Sequence, residues 1–300
     1  MGMRMSKAPS TCYLPLLRVS LILLLSSLVG CIAPRGNIHS GRVTPRGHFR
    51  VGYDSSANLP TNTIALAGKQ VVKEIQNATD DEGNYERDDL YDYGKVALAQ
   101  SLDPFGLSSQ FYLRYGVYDH LDLGLAYGSA GFIVDTSYQL LSAAEGALDG
   151  ALGLQYSSQS FGLPSLAGQA QKLLGFEFSR DDVLLRGVAS VPFGEDEKYG
   201  AFGFGLALNY THLNYAFEPE DVTYLIEGEQ ETLTGVKGNS KGFLAYGAFV
   251  NLKVGYIYGY LVLSMSAYYQ DYGEYRLPDD RRVQYSGFTF VPSFGIQGAL

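Results

Sequence analysis

Phe202-Gly203-Phe204-Gly205-Leu206-Ala207-Leu208-Asn209-Tyr210 carries Phe, Phe, Leu, Leu and Tyr at even positions and Gly, Gly, Ala and Asn at odd ones. Side chains of an extended strand point alternately to opposite faces, so all the bulky groups share one side. From Leu244 to Tyr256 the even positions read Leu, Tyr, Ala, Val, Leu, Val and Tyr, while Asn251 and Lys253 fall on the other face. Phe288, Phe290, Pro292, Phe294 and Ile296 alternate with Thr289, Ser293, Gly295 and Gln297. Leu148 to Tyr156 and Phe111 to Val117 behave likewise.

A soluble sandwich also alternates, but it turns its polar face to water. Here the opposite face is rich in Gly and Ala, as a crowded barrel interior requires. The bulky face is nearly free of charge, and Tyr and Phe gather at segment ends, as in aromatic girdles. The pattern predicts an all-β fold, a closed antiparallel up-and-down transmembrane β-barrel of about 12 strands (10–12). The strands expected are 46–53, 94–100, 107–118, 121–128, 132–141, 147–158, 170–178, 182–191, 200–213, 243–256, 257–270 and 285–299. With the first running outward, the longest connections, 54–93, 214–242 and 271–284, all fall outside the cell. Two connections break the rule: Asp119-His120 is short although external, and 159–169 is long although periplasmic.

Residues 54–93 read as a partly helical insertion. Thr61 or Thr63 caps a helix over 59–77 with Ile64, Ala67, Val71 and Ile75 along one stripe, followed by the acidic run Asp80 to Asp92.

The N-terminus is of another kind. Arg4, Lys7 and Arg18 precede the apolar run Leu21 to Val29, which is far short of the roughly 20 residues of a spanning helix but suits an export signal. Leu28-Val29-Gly30-Cys31 resembles the lipobox of bacterial lipoproteins, and the resemblance implies cleavage before Cys31 and its lipidation (palmitate). The domains expected are a signal peptide at 1–30, a lipidated periplasmic tether at 31–45 and the barrel at 46–300. The location implied is the bacterial outer membrane, with a lipid anchor at Cys31 and a periplasmic N-terminus.

On that resemblance Cys12 would leave with the signal and Cys31 would carry lipid, so no thiol would remain for a disulfide, a thiolate metal site or a nucleophile. Loss of three cations with the signal takes the formal charge from −9 to −12, which disfavours nucleic acid as a partner. The expected partner is outer-membrane lipid, with a small solute only if the lumen conducts. No cofactor or metal is expected: the acids of 80–92 lie side by side, without the alternation of a calcium loop.

Tyr112 to Leu141, YLRYGVYDHLDLGLAYGSAGFIVDTSYQLL, resembles a hairpin of bacterial outer-membrane β-barrel proteins. There an arginine-bearing strand turns at a polar pair into an Asp-x-Gly strand, followed by a strand with an inward acid. The resemblance implies the barrel and selects no substrate.

Strand parity turns Arg46, Arg50, Arg114, Asp122, Asp135, Asp149, Glu177, Arg186 and Lys253 into the lumen, together with Tyr112, Tyr118, Tyr258, Tyr260 and Tyr268. Charges of both signs in a confined space either line a narrow pore or pair and close it; desolvation favours pairing. The function expected is a non-enzymatic outer-membrane lipoprotein barrel with passive, narrow porin-like transport or a structural role. One alternative is a lipid-anchored soluble barrel binding a hydrophobic ligand. The other is an outer-membrane lipid hydrolase. For the latter, His212 falls on the outward face near the outer rim, but no Ser neighbours it in sequence and no catalytic residue is assigned.

Overall fold

The computed structural model describes residues 35–77, 87–129, 131–144, 146–159, 175–218, 223–226, 229–232, 236–277 and 280–300; Cys31 lies outside them. In chain order the elements are β1 (Phe49–Pro60), α1 (Thr61–Asn77), α2 (Arg87–Leu102), β2 (Gly106–Tyr118), β3 (Leu121–Gly128), β4 (Gly131–Leu141) and β5 (Asp149–Gln159). They continue as β6 (Phe176–Phe193), a 3-10 turn at Glu195–Glu197, β7 (Gly200–Phe217), β8 (Thr223–Ile226), β9 (Glu229–Thr232), β10 (Val236–Tyr256), β11 (Gly259–Arg276) and β12 (Arg282–Ala299).

Ten strands close into an antiparallel barrel in the order β1-β12-β11-β10-β7-β6-β5-β4-β3-β2, and β8 pairs with β9 as a separate hairpin. β1 closes the ring by pairing with β2 on one side and β12 on the other, Gly52 lying opposite both Tyr112 and Gln297. A closed ring has no edge strand, so backbone N–H and C=O groups pair between neighbours all the way round.

The count of ten corrects the twelve in two places. Residues 94–100 are helical: Lys95-Val96-Ala97-Leu98-Ala99 alternates over too short a window to exclude a helix, and Tyr93, Ala97, Leu98 and Leu102 form the buried stripe of α2. Residues 176–178 of the expected 170–178 and all of 182–191 belong to one long strand, β6, which runs through the polar stretch Ser179-Arg180-Asp181-Asp182; 170–174 lie outside the described residues. β1 extends to Pro60, beyond its expected end at 53, with Asp54, Ser56 and Asn58 buried inside. The ten-strand order also removes both irregular connections. Asp119-His120 now joins 142–148, 194–199 and 257–258 at a short-turn end, and 160–175 joins 61–105 and 218–235 at a long-loop end.

β6, β7, β10, β11 and β12 run 18 to 21 residues, well beyond the roughly 9–11 that cross a bilayer. Their surplus rises at the long-loop end as a partial wall. Against it α2 packs Tyr93, Leu98 and Leu102 on Phe176, Phe217, Phe243, Tyr272 and Tyr285, making a dry core that caps the barrel. Each such side chain contributes about 1.5–3 kcal/mol on burial. Arg180, from the wall, donates to Leu102 O at 2.7 Å and so satisfies a carbonyl at the C-terminus of α2. Thr63 Oγ1 donates to Asp103 O at 2.9 Å, tying α1 to the same place.

The bulky side of the strands faces outward: Phe132 is 74% exposed and Leu206 71%. Arg114 and Lys253 are enclosed at 3% and 4%. Outward aromatics gather at two levels, Tyr53 with Phe111 and Tyr269 with Phe288 toward the long loops, and Phe49 with Tyr115 and Tyr199 with Tyr256 toward the short turns.

Candidate functional site

The lumen is occupied by the protein's own N-terminal segment. Residues 35–44 have no regular structure and run the length of the barrel as a strap before Gly47, at φ 78°, turns the chain into β1. At the long-loop end Arg35 Nη1 meets Asp103 Oδ1 at 3.1 Å, and Arg35 O accepts from Tyr268 Oη at 2.9 Å. Asn37 Nδ2 donates to Tyr268 Oη at 2.8 Å, and Ile38 packs on Tyr112 and Val262. Midway, Asn251 Nδ2 donates to His39 O at 2.9 Å; nearer the short turns, Gly41 N donates to Ser190 Oγ at 2.9 Å and Ser40 Oγ to Glu197 Oε2 at 3.2 Å. Toward the short turns, Val43 N donates to Gln139 Oε1 at 3.2 Å and Thr44 N to Asp122 Oδ2 at 2.8 Å. A buried backbone without strand partners must find side chains instead, and the lumen wall supplies them.

This position corrects the periplasmic tether expected over 31–45: residues 35–44 lie inside the barrel. Arg35 marks the long-loop end, opposite to the short-turn end at which β1 begins and β12 finishes.

Strap and wall fit closely. A Cβ at Gly41 would collide with Asp149 O, and one at Gly116 with Pro45 O, so neither place admits a larger residue without a shift. Beside His39 the space left among Asp54, Gln110, Tyr112 and Arg114 is about 20 Å³, enough for one water.

Most of the charges assigned to the lumen converge on the strap. Arg114 bridges Asp122 and Asp135 at 2.5 Å each, and Arg186 adds a 2.7 Å contact to Asp135. Arg50 donates to Arg42 O at 2.8 Å and to Val43 O at 3.1 Å. Lys253 pairs with Glu197 at 2.7 Å. Asp149, also buried, accepts from Gln139 Nε2 at 3.2 Å and from Ala143 N at 2.8 Å, fixing the 142–148 turn. Burial would push the Glu197 carboxyl up, but the Lys253 ammonium and the Arg50 guanidinium outweigh it and hold it below its usual range.

Two of the assigned charges lie elsewhere. Arg46 is exposed ahead of β1, where its backbone bridges to Gly116. Glu177 points outward, because β6 is continuous and its inward set, Phe176, Arg180, Asp182, Leu184 and Arg186, is even-numbered. Tyr112, Tyr260 and Tyr268 are buried inside, whereas Tyr118 and Tyr258 are exposed. A register shift between Gly116 and Tyr118 reverses the first, and the turn joining β10 to β11 carries the second.

Sequence parity missed Asp103, Arg180, Asp182 and Glu197, all nearly solvent-free. Asp103 accepts from Asn58 Nδ2 at 2.9 Å, from Tyr272 Oη at 2.7 Å and from Gln270 Nε2 at 2.5 Å, and it also bonds Thr289 and Arg35. Arg180 and Asp182 form a two-point pair at 2.7 and 2.9 Å. The available signal was Arg35 and Arg42 in a stretch with no acid before Asp54, a basic segment matched to inward acids.

No family model and no curated protein matches the chain. Among solved structures it is similar to Ail, the attachment invasion locus protein of Yersinia pestis, at 11% identity and TM-score 0.30, over 84% of this chain and 97% of that one. It is also similar to Neisserial surface protein A, at 8% identity and TM-score 0.29, over 83% and 96%. A major outer membrane protein from Thermus thermophilus aligns at 11% identity and TM-score 0.29, over 84% and 99%. Likeness at this level carries no functional inference, and the barrel rests on its own strand register.

Proposed function

We propose that this chain is an outer-membrane barrel that conducts nothing: its lumen is held shut by the strap, and its role is structural, presenting the capped long-loop end outside the cell. The single observation that carries this is the strap's bonding to the wall from Arg35 to Thr44. Loop asymmetry supports the orientation, since long loops face outward and short turns the periplasm in such barrels. The apolar middle of the outer wall supports the membrane over a soluble barrel, which would leave Leu206, Phe132 and their neighbours facing water.

The lipoprotein assignment belongs to the same proposal, in altered form. Cys31 precedes Arg35 by four residues, a reach of at most about 14 Å. Under this proposal a lipid carried by Cys31 would belong to the external side, where Arg35 lies, in place of the periplasmic side first expected. The test replaces the lipoprotein signal by an ordinary cleavable one, with Cys31→Ala. The non-lipidated protein should still require detergent and migrate faster on a denaturing gel unheated than boiled. A water-soluble product would overturn the membrane assignment.

A further inference from the structure

The outer wall carries a constellation that the closed lumen does not use. His212 on β7 and Ser240 on β10 are 28 residues apart in sequence, yet strand pairing sets them together, and Ser240 Oγ lies 3.0 Å from His212 Nε2. On the other side of His212, directly opposite in register on β6, stands Asp181. Asn214 is register-opposite Ser240. Three adjacent strands thus line up an acid, an imidazole and a hydroxyl on one outward face, with a carboxamide beside the hydroxyl.

The level of this row matters. Val183 pairs with Tyr156 and with Tyr210, both outward-facing aromatics, and Asp181 and His212 lie two residues further toward the long loops. That is roughly 7 Å beyond the tyrosines, where hydrocarbon gives way to headgroups. Tyr156 Oη donates to Asp181 Oδ1 at 2.9 Å, joining the row to that aromatic level. Gly242, register-opposite His212, leaves room for the Tyr210 ring: a Cβ there would collide with Tyr210 Oη.

Lower on the same wall the surface is hollow. Gly187, Ala189 and Ala248 face outward among Leu152, Phe204 and Leu206, leaving an apolar concavity of about 660 Å³ open to the membrane. Leu206 lies six residues below His212 on β7, about 20 Å along the strand, within the length of a long fatty acyl chain.

We propose that Ser240, His212, Asp181 and Asn214 form a hydrolytic site for acyl esters of membrane lipids, the acyl tail lying down the wall into the hollow. A hydroxyl 3.0 Å from an imidazole nitrogen is within the range at which a base activates a nucleophile. Ser240 Oγ attacks the ester carbonyl carbon while its proton passes to His212 Nε2. The tetrahedral intermediate collapses, the ester C–O bond breaks, and the leaving alkoxide takes that proton as the free alcohol. Water then attacks the acyl-Ser240 carbonyl, giving its proton to His212, and the proton returns to Ser240 as the fatty acid departs. Asp181, register-opposite His212 with its carboxylate bonded to Tyr156 Oη, stabilises the imidazolium by its charge across the strand pair and not by a bond to the ring. Asn214 Nδ2 donates to Ser179 Oγ at 3.3 Å and has to turn from that bond toward Ser240 to meet the oxyanion that develops there.

The site rests on the outer wall meeting lipid, so heat-modifiable migration is recorded for every variant to separate loss of the barrel from loss of the site. Full-length protein in detergent is treated with a fluorophosphonate and then assayed on 4-nitrophenyl palmitate and on phosphatidylcholine vesicles. The result expected is a covalent adduct on Ser240 and release of fatty acid. Ser240→Ala should abolish both, and His212→Ala should lower turnover by about 1,000-fold or more. Asp181→Asn and Asn214→Ala should lower kcat with KM little changed, Asn214→Ala by about 100-fold. An intact wild-type barrel with neither adduct nor fatty-acid release would overturn the proposal, as would turnover that survives in Ser240→Ala.

Discussion

Arg35 and Asp103 meet at 3.1 Å where both are almost wholly enclosed, so one ion pair joins the end of the strap to the end of α2. The strap and the external cap are therefore one mechanical unit. Asp103 completes it by accepting from β1 through Asn58 and from β11 through Gln270 and Tyr272.

Asp103→Ala strips a buried guanidinium of its partner, and it leaves Asn58, Gln270, Tyr272 and Thr289 without their shared acceptor. Breaking a buried pair costs about 3–5 kcal/mol. Urea unfolding of the detergent-solubilised protein, followed by gel mobility, should show a loss of that size; a change under about 1 kcal/mol would detach cap from strap.

The Glu197–Lys253 pair has a definite pH signature. The folded carboxyl titrates below its ordinary value, so its contribution is complete above about pH 4.5 and is lost as pH falls through the lower folded value. Glu197→Gln should destabilise by about 3 kcal/mol at pH 7. The gap to wild type should close below that folded value in melting runs at stepped pH.

Gly41 passes against the Asp149 backbone with no space for a side chain. Gly41→Val should push the strap off the wall at a cost of about 1–3 kcal/mol. A reporter cysteine in place of the buried Ser40 should then react with a soluble maleimide many times faster than in the Gly41 parent. Equal rates would mean that the strap is not held there.

Leu206 lies midway down the outer wall, between Phe202 and Tyr210. Leu206→Arg should destabilise the barrel in lipid by about 2–4 kcal/mol, and Tyr258→Arg at the short-turn rim by about 0–1. Refolding titrations into vesicles measure both; equal and negligible costs would remove hydrocarbon from the account.

Alternation made the barrel legible because a two-sided wall writes its period into each strand. It failed where both faces turn polar. In β6 the stretch Ser179 to Asp182 resembled a turn, yet Arg180 and Asp182 face inward as a pair while Asp181 faces out beyond the aromatic level. In α2 the sequence Lys95 to Ala99 alternated by chance, and only the wider spacing of Tyr93, Ala97, Leu98 and Leu102 shows a helix. The strap left no periodic trace, since its backbone bonds to scattered side chains such as Ser190, Gln139 and Asp122. The Ser240–His212 contact was likewise invisible, because it depends on the pairing of β7 with β10 across a long loop.

The most direct test of a lumen filled by residues 35–44 is the conductance of purified full-length protein in a planar bilayer. The account predicts a silent membrane when insertion has been verified by heat-modifiable migration of the same preparation. Stepwise openings of the unaltered protein would contradict it.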